Sequence, residues 1–148
     1  MKISTKGRYG VRILLDLALH EGNTPRLIRD ISESQQISEK YISRLIIALR
    51  RANMVRSIRG AKGGFRLARN PAELTLLDIV EVMEGPVAIV DCVRSPEKCD
   101  RNGQCATREI WDHLNSEIRD AMRKVTLADI IENYRKRNAE DGFFDYCI

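Results

Sequence analysis

The chain has 148 residues, of which 43% are hydrophobic and 31% charged, and its formal net charge at neutral pH is +4. The length fits one domain, or one domain with an appended arm, and the composition excludes a disordered chain. No stretch approaches the roughly 18 apolar residues of a membrane span, and the basic start lacks an apolar leader, so we expect a cytoplasmic protein without a membrane partner.

The charge is unevenly spread along the sequence. Residues 1–70 hold 15 Lys and Arg against 5 Asp and Glu, whereas residues 71–148 hold 10 against 16. A basic half attracts a polyanion, and nucleic-acid phosphates are the simplest candidate. A solvated basic face without a partner is the alternative that charge alone leaves open.

Three helices followed by a hairpin are predicted in the basic half. Apolar positions recur at helical spacing over residues 11–20, over 25–34 and over 38–52, where Ser38 is a good N-cap. Two β-prone segments, 54–58 and 65–67, then flank a glycine-rich turn whose glycines permit positive φ angles. Three helices with a tight turn before the third, followed by a basic two-stranded wing, indicate a winged helix-turn-helix fold.

The acidic half is also predicted to be helical. Thr75 can cap a helix over residues 76–83, which the sequence Glu-Gly-Pro ends. Residues 87–104 have no helical period and are predicted to form a loop, and Thr126 can cap a short last helix over 127–134.

A long helix with one apolar stripe is predicted from residue 105 to about 125. Its apolar positions are Ile110, Trp111, Leu114, Ile118, Ala121, Met122 and Val125. A small domain leaves little surface to cover such a stripe, so we expect it to pair with its twin in a two-fold homodimer. Packing back onto its own wing domain is the alternative.

The predicted fold is therefore mainly α with a small β-hairpin wing: a winged helix-turn-helix plus a long dimerisation helix. Residues 1–84 are predicted to form the DNA-binding domain, and residues 105–148 the dimerisation helix and C-terminal tail. Between them, residues 85–104 are predicted to form a cysteine loop that binds a metal cluster.

The predicted partner of the basic half is double-stranded DNA. A recognition helix contacts base edges, and nearby cations hold phosphates. Arg44 can fork onto guanine, Lys40 can hold phosphate or guanine, and Glu39 can accept a hydrogen bond from cytosine. The predicted contacts are Lys6, Arg8 and Tyr9 at the start of the first helix, Ser38, Glu39, Lys40, Tyr41, Ser43 and Arg44 in the third helix, and Arg59, Gly60 and Lys62 in the wing. A dimer would place its half-sites about 34 Å apart, or a multiple of this, in a palindromic operator.

Several segments resemble a known family: MKISTKGRYG at residues 1–10, ISEKYI at 37–42, VRSIRG at 55–60 with Gly63 and Gly64, and the loop cysteines. Together they resemble the bacterial winged-helix family of IscR, NsrR and CymR over essentially the whole chain. The resemblance implies a dimeric transcription regulator that senses iron–sulfur status, nitric oxide, iron or cysteine supply. The alternative of another class is an iron–sulfur enzyme or electron carrier, but we find no phosphate loop, nucleophile–base pair or second redox motif.

Cys92, Cys99 and Cys105 are the predicted metal ligands. Their spacing is wider than the knuckles of structural zinc sites and suits a larger group. The resemblance implies an iron–sulfur cluster, because cluster-binding relatives carry three cysteines in this loop; a 2Fe–2S cluster is favoured and a 4Fe–4S cluster stays open. Zinc and a metal-free thiol switch are the alternatives.

The fourth ligand is not assigned. In IscR-like members it is a histidine three residues after the last cysteine, where this chain has Arg108, and in NsrR-like members an aspartate of the first helix, where it has Arg8. The candidates that remain are Cys147, His113, Asp91, Asp100, Glu109, a water molecule and Arg108 itself.

The C-terminus is apolar and ends in a free carboxylate, which suits capture in a pocket. It resembles the aromatic-x-Ile tails by which serine acetyltransferase and CymR-like regulators engage cysteine synthase. Tyr146 and Ile148 are therefore predicted to bind cysteine synthase, and a metal-free regulator of cysteine metabolism acting through that complex is the alternative function. Packing of the tail against the body is equally open.

Overall fold

The computed structural model describes residues 2–22, 24–101 and 103–144, with side chains described up to residue 139. Its helices and strands follow one another as α1 Thr5–Leu19, α2 Ile28–Gln35, α3 Glu39–Arg51, β1 Val55–Ile58, β2 Gly64–Leu67, α4 Leu76–Glu84, α5 Asp91–Arg94, α6 Arg108–Lys124 and α7 Leu127–Phe144. Short 3-10 turns lie at Pro71–Glu73 and Pro96–Lys98. This mainly helical chain with one antiparallel hairpin confirms the predicted fold class. Within the described residues, no helix has the length and hydropathy to cross a membrane.

Helix α1 lies at the centre of the core, where Ile13 and Leu14 are fully buried. It packs closely on α4, since a Cβ added at Gly10 would lie 2.7 Å from the Met83 side chain. The predicted start of this helix at residue 11 is wrong, because the helix begins at Thr5. The Ser4 hydroxyl accepts from the Lys6 N–H at 3.0 Å and so caps the additional turn and a half.

The predicted start of the second helix at residue 25 is also wrong, because α2 begins at Ile28. Residues before it pair instead with the wing: the Arg26 N–H donates to the Phe65 carbonyl at 3.0 Å, and the Phe65 N–H donates to the Arg26 carbonyl at 2.8 Å. A Cβ added at Gly64, whose φ is +148°, would lie 2.6 Å from the Arg26 carbonyl oxygen. Glycine at this position therefore permits the close approach of the two segments.

A buried polar network joins α1 to α2. The Asp16 carboxylate is 1% exposed and accepts from the Arg26 Nε at 2.9 Å, from the Ser34 hydroxyl and from the Gln35 amide at 3.3 Å. Burial alone would raise the pKa of Asp16, but these hydrogen bonds and the Arg26 charge lower it below its ordinary value of 3.8. The network holds the helix-turn-helix on α1.

Helices α4 and α7 begin side by side with the same cap. The Thr75 hydroxyl accepts from the Asp78 N–H and donates to its carboxylate, and Thr126 does the same with Asp129. Backbone bonds of 2.8 Å from Leu76 N to Val125 O and from Leu127 N to Leu74 O join the two starts. Both predicted caps are thus present.

Helix α7 is longer than predicted. It runs to Phe144 rather than ending near residue 134. Leu127 is fully buried and Ile131 is 8% exposed, and both belong to the same core cluster as Ile13 and Leu14. The first turns of α7 therefore pack on the core of the winged helix.

Candidate nucleic-acid interface and cysteine loop

The start of α1 and the recognition helix α3 lie against each other. The rings of Tyr9 and Tyr41 meet edge to face with centroids 5.8 Å apart, and the Arg12 guanidinium lies 5.2 Å from the Tyr9 centroid. Lys6, Tyr41 and Arg44 line one shallow depression between α1, α3 and α4. The structure thus brings together four predicted DNA contacts from two helices.

The remaining predicted contacts of the third helix do not line this depression. Ser38, Glu39 and Lys40 are exposed at its N-terminal end, and Ser43 donates to the Glu39 carbonyl at 2.8 Å. Ser38 precedes the first helical residue, as predicted, but makes no side-chain hydrogen bond to the helix. Its hydroxyl is therefore not used by the cap.

The predicted wing contacts lie at the tip of the hairpin. Arg59, Gly60 and Lys62 are exposed, and the tip closes with a 2.9 Å bond from the Gly63 N–H to the Gly60 carbonyl. Gly60 has φ +106°, which confirms the predicted positive φ angle in this turn.

The predicted cations of this surface form no close ion pairs in the described part of the chain, although the charge of Lys6 acts on the Glu84 carboxylate. Within the described part of the chain, the ion pairs involve none of the following side chains: Lys6, Arg8, Lys40, Arg44, Arg59 and Lys62. Cations on adjoining elements that form no close ion pair give the positive potential that attracts phosphates.

Glu84, which sequence reasoning assigned only to a helix break, anchors the start of α1. Its Oε1 accepts from the Ser4 hydroxyl at 2.6 Å and from the Gly7 N–H at 2.8 Å. Burial alone would raise the pKa of Glu84, but these bonds and the Lys6 charge lower it. A carboxylate at a helix N-terminus also complements the helix dipole. The last turn of α4 thus positions the helix end that carries Lys6 and Arg8.

The segment predicted as a loop without helical structure contains two helical turns. Cys92 lies on α5, and the 3-10 turn that follows ends just before Cys99. The short turns carry too few apolar positions to show a period, which explains why the sequence did not reveal them. The long helix α6 likewise begins at Arg108 rather than at Cys105.

The three loop cysteines are free thiols of intermediate exposure in two different cavities. Cys92 and Cys99 line one cavity with Asp91, whereas Cys105 lines another with Arg108 and Glu109. The Cys105 Sγ lies 3.3 Å from the Thr107 hydroxyl oxygen, and hydrogen bonds from Thr107 are the main reason that its pKa is lowered.

The cysteine donors suit iron, but their arrangement does not form one site. Among the side chains of residues 2–22, 24–101 and 103–139, no three His, Cys, Asp or Glu residues form a group that could hold a metal ion. Of the fourth-ligand candidates, Asp91 and Glu109 line cysteine cavities, while Cys147 lies outside the described residues, as do Tyr146 and Ile148. The described conformation therefore does not fit a cluster held by one protomer.

The apolar stripe of α6 divides into two parts. Met122 is 8% exposed and packs, with Ile118, on residues of α4. Ile110, Trp111 and Leu114 near the other end are 58%, 40% and 43% exposed. Packing onto the chain's own domain thus accounts for Ile118 and Met122, whereas Ile110, Trp111 and Leu114 are left exposed.

The exposed part of α6 adjoins the cysteine loop. The Asn115 side chain is 7% exposed, and its Oδ1 accepts from the Ile89 N–H at 3.1 Å. Arg119 forms an ion pair with Glu81 of α4. These contacts tie the segment that leads to Cys92 to the same helix that carries the exposed apolar face.

Comparison with known proteins gives consistent matches. A family model described as "Rrf2: Iron-dependent Transcriptional regulator" matches residues 3–133. The HTH-type transcriptional regulator CymR of Bacillus subtilis is 38% identical over 130 residues, which cover 88% of this chain and 89% of CymR. The HTH-type transcriptional regulator IscR of Pectobacterium atrosepticum is 33% identical over 141 residues, covering 95% and 85%. The solved structure of CymR, described as the global cysteine regulator of B. subtilis, has a TM-score of 0.77 at 35% identity and covers 90% of this chain and 98% of CymR. These matches confirm the resemblance drawn from the sequence motifs.

Proposed function

Because the chain belongs to the Rrf2 family, whose members are transcriptional regulators and not enzymes, we propose that it recognises a specific operator in double-stranded DNA as a homodimer. The observation that carries this proposal is the joint surface of α1 and α3, where Lys6 and Arg44 line one depression beside the Tyr9–Tyr41 contact. Phosphate contacts from such cations position a protein on DNA, and the exposed side of α3 offers the groups that read bases.

A selection from a random duplex pool, followed by fluorescence anisotropy, tests this function. Arg44→Ala is expected to lose about 5- to 150-fold in affinity for the selected duplex, as befits a bidentate base contact. Lys40→Ala is expected to weaken binding to all duplexes and to reduce the salt dependence by about one counterion. The control is Lys136→Ala, because Lys136 lies on α7 in an ion pair with Glu132. Equal affinity for selected and scrambled duplexes would refute sequence-specific binding.

We propose that the two copies pair through the exposed part of the α6 stripe. Ile110, Trp111 and Leu114 lie on one face of α6 because they are one and three residues apart along the helix. A two-fold axis would place this face against the same face of a second copy. A palindromic operator follows from this symmetry. In this proposal residues 1–84 bind DNA, 85–104 form the cysteine loop that ends just before Cys105, and 105–148 pair the subunits, with the start of α7 packed on the DNA-binding core.

We propose that the cysteine loop is the sensing element and that Cys92, Cys99 and Cys105 are the ligands of an iron–sulfur cluster. The donor chemistry supports this, as three cysteines within 14 residues are typical of cluster sites with a further ligand from elsewhere. Ligation would require Cys105 to leave its own cavity and join the other two cysteines. Because the loop bonds to α6 through Asn115, a change in the loop would reach the dimer face.

The second candidate is a thiol switch without metal. It is favoured by the separate cavities of the cysteines and by the lowered pKa of Cys105, because a more thiolate-rich cysteine reacts faster with oxidants. The iron and sulfide content and the visible spectrum are measured on anaerobically purified protein. These measurements distinguish an iron–sulfur cluster from a metal-free thiol switch. A cluster gives a visible absorbance that each of Cys92→Ala, Cys99→Ala and Cys105→Ala reduces, whereas Ser95→Ala keeps it. Colourless, iron-free protein whose DNA affinity changes on oxidation supports the thiol switch.

We retain cysteine synthase as a proposed partner of the C-terminal tail. Tyr146 and Ile148 lie outside the described residues, so the proposal is supported by the sequence of the tail alone. Co-purification with cysteine synthase should occur with the full chain and be lost when Ile148 is deleted. Equal recovery with both chains would contradict the proposal.

A further inference from the structure

Ile47 is an exposed apolar residue on the recognition helix. Its side chain is 49% exposed, whereas Ile42, Leu45, Ile46 and Leu49 on the same helix are at most 4% exposed. It lies three residues after Arg44 and seven after Lys40, so the three side chains share one face of α3. Arg51, four residues after Ile47, continues this exposed face.

The neighbours of Ile47 define the kind of partner that this face can take. Lys40, Arg44 and Arg51 make no ion pair in the part of the chain that the structure describes. An apolar protein surface would leave these cations unneutralised, and the chain offers a larger apolar face for a second copy on α6. A polyanion that also presents an apolar group fits better, and in the major groove of DNA that group is the C5-methyl of thymine.

We propose that Ile47 is a specificity-determining residue that contacts the C5-methyl group of a thymine in each half-site. Arg44 and Ile47 are separated by about 4.5 Å along the helix, at 1.5 Å per residue, against about 3.4 Å between successive base pairs. The thymine therefore lies one or two base pairs from the base that Arg44 contacts. This inference rests on the proposed function, and it adds a base that the polar residues of α3 do not select.

Replacement of thymine by deoxyuridine tests the contact, because it removes only the methyl group. The duplex selected with the wild-type dimer is prepared with each thymine replaced in turn. Wild-type affinity is expected to fall about fourfold at one thymine position per half-site, as expected for one buried methyl group. Ile47→Ala is expected to bind the unmodified duplex more weakly and to show no difference between thymine and deoxyuridine at that position.

Two further variants complete the test. Lys40→Ala, on the same face, is expected to keep the fourfold loss, and Ile47→Val to keep part of it. All variants are checked by thermal melting, and the exposure of Ile47 predicts unchanged stability. A deoxyuridine effect that persists in Ile47→Ala, or no effect at any thymine, overturns this inference alone. Failure of the wild-type dimer to enrich any duplex overturns the proposed function with it.

Discussion

The Asp16 network gives the sharpest stability prediction. Removal of one member of a buried ion pair costs about 3–5 kcal/mol, because the other charge stays buried. Arg26 is 18% exposed and keeps a 3.1 Å bond to the Asp30 carbonyl, so the lower end of this range applies to Asp16→Ala. With a urea dependence of about 2 kcal/mol per molar, the unfolding midpoint should fall by about 1.5 M.

The assay is urea unfolding at one fixed protein concentration, since the stability of a dimer depends on concentration. Glu132→Ala is the matched control, because the Glu132–Lys136 pair is 63% and 65% exposed and should leave the midpoint unchanged. If Asp16→Ala and Glu132→Ala shift the midpoint equally, the buried network does not hold α2 on α1 and the reasoning is wrong.

The effect of Asp16 also has a defined pH dependence. Its pKa is lower in the folded protein than its ordinary value of 3.8, so its contribution is complete at neutral pH. The contribution falls as the pH drops below that value and is lost as the pH passes the folded pKa. The difference in unfolding free energy between wild type and Asp16→Ala should therefore shrink as the pH falls below 3.8. A difference that grows as the pH falls below 3.8 would contradict the sign.

Three further changes test other contacts. Gly64→Ala should lower stability by about 1–3 kcal/mol in thermal melts, because its Cβ would lie 2.6 Å from the Arg26 carbonyl oxygen. The control Gly103→Ala, whose Cβ would have nothing within 4 Å, should leave stability unchanged. Equal melting temperatures for the two variants would refute this. Leu114→Lys should shift sedimentation from dimer to monomer, and an unchanged dimer would move the interface away from the exposed face of α6. Thr75→Ala should cost about 1 kcal/mol in urea unfolding through loss of its cap, and an unchanged midpoint would contradict that role.

Local signals predicted the elements whose causes are local. The caps at Thr75 and Thr126 act on residues three positions away, and the period of apolar residues in α3 reports directly on the face that packs. The turn at Gly60 depends on its own backbone. For these elements the sequence contained the cause and the effect within one short window.

Two of the errors came from contacts between distant residues. The early start of α1 is supported by Glu84, about 80 positions away, and the late start of α2 follows from pairing of Arg26 with Phe65. Neither contact leaves a periodic trace. At the cysteine site, the spacing grouped Cys92, Cys99 and Cys105 in the sequence, but only the fold shows that Cys105 lines a different cavity from Cys92.

The backbone bonds that join the starts of α4 and α7 also fix the C-terminal end of α6. Its C-terminal end is held where Val125 and Leu127 bond to the start of α4, while its 17 residues extend about 25 Å towards the cysteine loop. A tilt of α6 by about 5° about this fixed end displaces its N-terminal end by on the order of 2 Å. In the proposed dimer, which pairs through the exposed face at that end of α6, a displacement of this size in the loop would change the angle between the two DNA-binding domains.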